Sequence, residues 1–421
     1  MKDGRSGRIF YGWIVVWISF LTLFLVYGAR FSYGLFVRPF IDEFGWSRAQ
    51  ISLAASLNFL LFGFIQILAG GALGRVGPRR MVAWSLGVLG IAHLLVPLSH
   101  GLWQLYLIYG LLAAVGLSGA STVTLGVVVA RWFQARRGLA LGIINAGVSA
   151  GQMVLIPAVT AVILTLGWRA GWWILGGLLL LAVPLVATML RDDPAELGLQ
   201  PLGAVGPGKG AGRPGLREMW RGACIFSRSG PFWLLSGGYF VCGFSATMMS
   251  THLPIFITDR GFSLLTAANV MALIGGMNVV GSMTIGAFSD RAGRHVPLAG
   301  IYFMRGLSLL FLLVVHETAL PLYLFAVVFG YSYFATVPLV TALVSQNFGD
   351  HNLGLGFGLI SFWHMIGSAV GSYLAGAIFD LAGTYVPIFM TSAVLLMGAT
   401  ALSLRVPEEA PAPLPAVPAA A

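Results

Sequence analysis

The sequence predicts an all-α membrane protein, with twelve transmembrane helices in two pseudo-symmetric six-helix bundles. Three observations carry that expectation. Of the 421 residues, 58% are hydrophobic and 9% charged, and the mean hydropathy is +0.88, more apolar side chain than a water-soluble core can hide. Apolar stretches of roughly 20 residues, the length that crosses a bilayer as helix, occur twelve times. Finally, a glycine-rich pattern in the first half returns in the second at a constant offset of 216 residues.

The predicted spans are 11–37, 49–70, 80–99, 102–130, 137–165, 170–189, 231–256, 264–288, 296–315, 319–344, 353–379 and 384–404. Several exceed the minimum length, which implies tilt or protrusion. The residues divide into a first bundle at 1–190, a linker at 191–230, a second bundle at 231–405 and a tail at 406–421. The linker contains Pro194, Pro201, Pro207 and Pro214, and a short surface helix is expected around Leu216 to Cys224. The Pro- and Ala-rich tail from Val406 cannot bury enough surface to fold and is expected to be disordered. The run after the polar N-terminus is too long for a signal-peptide core and lacks a small-residue cleavage site, so it is expected to be retained. Neither end carries a lipidation motif.

Charge sets the orientation. With the N-terminus cytoplasmic, the inner segments hold eighteen Lys and Arg and the outer loops four (Arg38, Arg48, Arg169 and Arg260), leaving Arg30 and Arg305 within spans. That asymmetry predicts that both termini are cytoplasmic, and the inner, or plasma, membrane is the expected location. The net charge of +10 lies in short clusters between apolar runs rather than on one soluble face, so nucleic acid is not expected as a partner. Cys224 and Cys242 form neither a disulfide framework nor metal-ligand spacing, so no metal is expected.

Between spans 8 and 9 runs the charged turn from Gly286 to Arg294, with Ser289-Asp290-Arg291-Ala292-Gly293 at its centre. Its copy runs from Gly70 to Arg80, and the offset lays Gly70 on Gly286, Arg75 on Arg291 and Gly77 on Gly293. Gly138, Leu139, Gly142 and Gly151 fall likewise on Gly354, Leu355, Gly358 and Gly367. Glycines let helix ends approach closely, and an acid among arginines can form charge pairs. The first copy has Gly74 in place of the acid and Pro78 in place of the next arginine, which weakens its charge lock.

Six plus six spans, a basic central loop and Gly-x-x-x-Asp-Arg-x-Gly-Arg resemble the major facilitator superfamily over essentially the whole chain. Tyr11-Gly12-Trp13-Ile14-Val15-Val16, Gly34-Leu35-Phe36, Phe44-Gly45-Trp46-Ser47, Arg131-Trp132-Phe133 and Arg136-Arg137-Gly138-Leu139-Ala140 are similar to its monocarboxylate and oxalate/formate porter branch. The resemblance implies alternating-access movement of a small organic anion through a central cavity, by exchange or coupled to protons. It also assigns gating to Asp290, Arg291, Arg294, Arg75 and Gly77, whose charge pairs would hold the cytoplasmic side closed. The functional unit expected is a monomer in the lipid bilayer, without a cofactor.

An anion at depth needs cationic and hydrogen-bonding groups. Arg30 lies toward the outer part of span 1, near where animal members of the branch carry a lysine; snorkelling to the interface is its alternative reading. His364 lies near the midplane of span 11, at the step where oxalate-exchanging relatives carry a substrate-binding lysine. Protonated, it could hold an anion and release it with the proton; the alternative is a neutral core histidine. In span 8 Asn278 matches the branch's polar anchor, but one turn later the usual arginine is Ser282. Asn145 and Tyr331 complete the expected substrate-binding set, with Tyr239, Tyr333 and His252 as further polar groups. Arg305 in span 9 is expected to serve packing or snorkelling, with substrate binding as its alternative reading.

None of the fourteen acidic residues falls near the middle of a span, so a carboxylate proton relay is not expected. Gly147-x-x-x-Gly151 and Gly367-x-x-x-Gly371-x-x-x-Ala375 are expected to form close crossings between the halves, against spans 8 and 2. The competing function is an efflux carrier for hydrophobic or amphipathic compounds, favoured by Ser282. No nucleotide-binding loop or nucleophile–base pair stands in the sequence, so enzyme activity is not expected.

Overall fold

The computed structural model describes residues 10–203, 222–314, 318–349 and 352–408. Among these are twelve helices long and apolar enough to cross a membrane: α1 Gly12–Phe44, α2 Arg48–Gln66, α3 Pro78–Leu98, α4 Leu102–Trp132, α5 Arg137–Leu166, α6 Trp168–Met189, α7 Gly230–Asp259, α8 Leu264–Gly286, α9 His295–Leu313, α10 Leu320–Phe348, α11 Leu353–Ala382 and α12 Val386–Leu404. The described residues form no strand. Large apolar side chains such as Trp17, Trp84, Trp103 and Leu181 stand exposed on the helices, as lipid-facing surfaces require.

The chain separates into two compact units, one of residues 1–32 and 65–211, the other of residues 33–64 and 212–421. This division differs from the one expected from the linker, because residues 33–64, the end of α1 and most of α2, group with the second half. A tight 3₁₀ stretch, Ser32–Phe36, marks the change within α1 and carries that helix on to Phe44.

The first unit is built on the crossing of α1 and α5. A Cβ at Gly147 or Gly151 would run into the carbonyls of Phe20 and Phe24, so the backbones touch there. In the second unit Gly367 and Gly371 of α11 lie in the same way against Phe240 and Phe244 of α7. These four glycines therefore pack within their own half, which corrects the partners expected for them, whereas α11 meets α2 at other positions, Ser56 donating to the Ala369 carbonyl at 2.7 Å and Gly63 lying on Met365. The offset of 216 carries the contact too, since Gly151 on Phe24 becomes Gly367 on Phe240. One step along, the partners exchange sizes: Gly28 of α1 faces Leu155 of α5, whereas Phe244 of α7 faces Gly371 of α11. Either arrangement removes one bulky side chain from a close crossing.

The motifs carrying the resemblance meet in the first unit. The Phe10 ring packs on both Trp132 and Phe133, Tyr11 on Trp132 at 5.7 Å and Trp13 on Phe133 at 4.9 Å between ring centres. Gly12 sits beneath them, where a Cβ would strike Phe10. Aromatic packing of this kind is a reason for those residue types in those places.

Each half caps its third span with a carboxylate from beyond its sixth. Asp192 accepts from the Arg79 backbone N–H at 2.6 Å, and Glu408 accepts from the Arg294 N–H at 2.7 Å. A carboxylate at a helix N-terminus satisfies free N–H groups and complements the dipole. Gly77 and Gly293 lie beside these carboxylates with φ of +83° and +76°, a conformation that favours glycine. Glu408 also approaches His295 Nδ1 at 2.7 Å, and Asn347 donates to the Pro407 carbonyl at 3.2 Å. Residues 406–408, assigned to the tail by composition, are thus docked, while 409–421 lie outside the described residues. Of the expected linker helix, 222–226 is described and helical.

Candidate functional site

In the first unit Arg30 sits in the last turn of the regular part of α1 and is buried. Tyr109 lies within its electrostatic reach. Tyr109 falls in Tyr106–Leu112, a π-helical stretch inside α4, and π turns locally widen a helix and re-aim its side chains. Asn145 is exposed, and its amide donates to the Leu141 carbonyl of its own helix at 2.9 Å.

In the second unit His364 is buried in α11. Its ring packs on Tyr239 at 4.7 Å, and its Nδ1 is 3.5 Å from the Ser368 hydroxyl. Its Nε2 makes no hydrogen bond among the described residues, although Cys242 is close enough to interact with the ring. Gly243 lets α7 lie directly on the His364 carbonyl. A buried imidazole can accept or donate a proton to a bound group.

Tyr331 of α10 reaches Thr284 of α8, hydroxyl to hydroxyl, at 2.9 Å. Asn278 and Ser282 prove to be partners of each other, the Ser282 hydroxyl donating to Asn278 Oδ1 at 3.4 Å. The same Oδ1 accepts from the Phe334 backbone N–H at 3.1 Å. Arg305, expected to pack or snorkel, is fully buried and does not snorkel. Its guanidinium donates to the carbonyls of Ser332 and Tyr333, the latter at 2.6 Å.

A second polar cluster lies at the end carrying Arg48, the α2 N-terminus. Asp380 of α11 accepts from the Arg48 and Ala49 N–H groups at 3.1 and 2.8 Å. The Arg48 guanidinium pairs with Asp259 at 2.6 Å, donates to the Tyr385 hydroxyl at 2.9 Å and lies 3.5 Å from the Phe379 ring centre. His252 Nε2 is 3.0 Å from the Ser372 carbonyl, which can only accept, so this nitrogen carries the proton. Nδ1 lies 2.9 Å from the Tyr385 hydroxyl. His252 thus links Tyr385 and Ser372 in a hydrogen-bond chain. Nothing local in the sequence pointed to Asp259, Asp380 and Tyr385 as its companions.

Of the residues expected to gate, Arg294 donates from Nη1 to the Ala342 carbonyl at 3.1 Å, and Gly77 forms the turn on Asp192 described above. The side chains of Asp290, Arg291 and Arg75 lie outside the described residues. Among the described residues no group of His, Cys, Asp and Glu could hold a metal ion.

Twelve apolar spans, two halves related by a constant offset and buried polar groups within the spans define a multi-pass membrane transporter. The chain belongs to the Major Facilitator Superfamily, whose profile matches residues 19–371. It is 28% identical to the uncharacterized MFS-type transporter YcxA of Bacillus subtilis over 403 residues, 94% of this chain and 95% of that one. Monocarboxylate transporter 13 of Rattus norvegicus is 26% identical, with 94% and 89% covered. Monocarboxylate transporter 11 of Homo sapiens is also 26% identical, with 95% and 84% covered. The fold is shared with a bacterial homolog to the human lysosomal transporter Spinster in an inward-facing and occupied conformation, at a TM-score of 0.77, 15% identity and coverage of 94% and 97%.

Proposed function

We propose that the protein is a secondary active transporter that moves a small organic anion of monocarboxylate type by alternating access, through exchange or coupling to protons. The observation that carries this reading is the burial of Arg30 inside a span while all fourteen acidic residues fall away from span centres. A guanidinium in that setting favours a carboxylate, which it can hold by two parallel charge-assisted hydrogen bonds. Similarity to monocarboxylate transporters 11 and 13 supports the same cargo class.

His364 is the proton-exchanging residue in this reading: charged, it adds a second cation for the substrate, and neutral, it releases it. Tyr331 contributes a hydroxyl. Asn278, Ser282 and Asn145 complete the proposed substrate-binding set, although in this structure Asn278 and Ser282 bond each other, Asn145 its own helix and Tyr331 the Thr284 hydroxyl. Asp290, Arg291, Arg294 and Arg75 gate the cytoplasmic side, with both termini cytoplasmic in the inner or plasma membrane.

Uptake of labelled lactate, pyruvate and oxalate into proteoliposomes tests the proposal. Saturable transport should fall at least about tenfold in Arg30→Ala, the expected loss of a charge-assisted contact. His364→Gln should spare exchange and abolish the response to a pH gradient. If Arg30→Ala and His364→Ala both transport normally, the site is misassigned. Ser282, standing where the branch's arginine would be, favours a second reading as an efflux carrier for amphipathic compounds. Binding of hydrophobic cations with no competition from these carboxylates would establish that reading.

A further inference from the structure

The span α10 is not one helix. It runs regularly over Leu320–Ser332 and again over Thr336–Phe348, and the three residues between them break the ladder. Inside a membrane no water is present to satisfy backbone groups freed by a break, so other parts of the protein must do so.

Two side chains from two other helices do. Arg305 of α9 donates through Nη2 to the Ser332 and Tyr333 carbonyls, and Asn278 of α8 accepts from the Phe334 N–H at 3.1 Å. The remaining donors of the guanidinium are used as well: Nε on the Ser332 hydroxyl at 3.4 Å, and Nη1 on Cys242 Sγ at 3.2 Å and the Ser245 hydroxyl at 3.4 Å. Five N–H groups therefore meet five acceptors, and the fork ties α7, α9 and the α10 break together. A lysine, with three donors on one atom, cannot span that set.

Two tyrosines flank the joint. Tyr331 precedes it and reaches Thr284, while Tyr333 lies within it and donates to the Ala246 carbonyl at 3.3 Å. Gly281 lies where a Cβ would strike the Tyr331 carbonyl, so α8 and α10 touch at the joint. The offset of 216 puts Leu89 and Phe62 at the positions of Arg305 and Asn278. The first half therefore lacks both pins.

We propose that Arg305 and Asn278 are positioning residues that hold the break in α10 as a fixed joint and thereby set the direction of Tyr331 and Tyr333. This holds whatever the substrate, because both act on the α10 backbone.

The test needs no substrate. In a Cys224→Ser background, hydrogen exchange of the peptide containing Phe334 and maleimide labelling of Cys242 are followed in the full-length protein. Asn278→Ala and Arg305→Lys should each raise both rates about tenfold or more, as expected when a buried backbone partner is lost. Asn278→Asp keeps an acceptor oxygen whether ionised or protonated, and should stay within about twofold of the parent. The inference is overturned if Asn278→Asp behaves like Asn278→Ala, or if Asn278→Ala leaves the Phe334 amide as protected as before. Should Arg305→Lys fail to fold, the two Asn278 variants decide the matter. A defect confined to lactate uptake, with both rates unchanged, would instead mark Asn278 as a substrate residue.

Discussion

The fourth and tenth spans are related by the internal repeat, both are broken, and the two breaks are held differently. In α4 the helix stops at Gly119 and resumes at Thr122. There the Ser121 hydroxyl lies 3.5 Å from Gln66 Nε2 and 3.5 Å from the Thr124 hydroxyl, long contacts between neutral groups. In α10 a fully buried guanidinium and an amide grip the backbone itself. A π-helical stretch precedes the break in α4 and has no counterpart among the described residues of α10. Under the offset of 216 the two breaks fall within three residues of each other without coinciding, and the means of holding them open differ. A backbone break in lipid needs partners, but not any particular partners.

Removing the strongest pin should have the largest effect. Arg305→Met strands two buried carbonyls, so thermal unfolding in detergent should report a loss of about 3 kcal/mol or more. Ser121→Ala at the other break should cost about 1 kcal/mol or less. Equal losses would erase the distinction between the breaks.

Overpacking the joint comes next. Gly281→Ala would push a methyl group at the Tyr331 carbonyl and should cost about 1–3 kcal/mol in the same measurement. Ile65 stands at the matching position of the first half, which already accommodates a branched side chain there. A neutral Gly281→Ala would mean that α8 and α10 are free to separate.

The smallest effects separate the two capping carboxylates. The Arg294 N–H and His295 hold the Glu408 carboxyl below its ordinary value, so its contribution is complete above about pH 4.5 and is lost as pH falls through the folded value. Burial pushes the Asp192 carboxyl up, against the hydrogen bond from Arg79. Its contribution runs the other way: it is complete below about pH 3.8 and declines as pH rises through the folded value. Melting curves of Glu408→Gln should therefore converge on the parent as pH falls, and those of Asp192→Asn should gain on the parent as pH rises. Both groups are partly solvent-exposed, which limits the shifts to about 2 °C. Parallel pH profiles for the two variants would show that the turns are equivalent.

Much of the architecture was legible in the linear chain. Hydropathy marks each span because lipid selects every residue of the span at once, and the glycine pattern exposed the repeat because close backbone contact requires glycine at fixed steps. The same glycines misled about their partners: Gly147 and Gly367 show that a backbone must come close, without showing which one. Asn278 stood out as a polar group in an apolar helix, yet its acceptor oxygen serves the Phe334 amide 56 positions away. Glu408 was hidden by the Pro-rich composition around it.

The amino-acid sequence alone determined the twelve crossings, the duplication and the superfamily, since these depend on local composition and regular spacing. Only the tertiary structure decided that Arg305 bonds the carbonyls at the break in α10, that His252 links Tyr385 to Ser372, and that Asp192 and Glu408 occupy equivalent caps. Each of those roles depends on groups brought together from distant parts of the chain, and hydrogen-bond partners at such separations leave no periodic trace in the sequence.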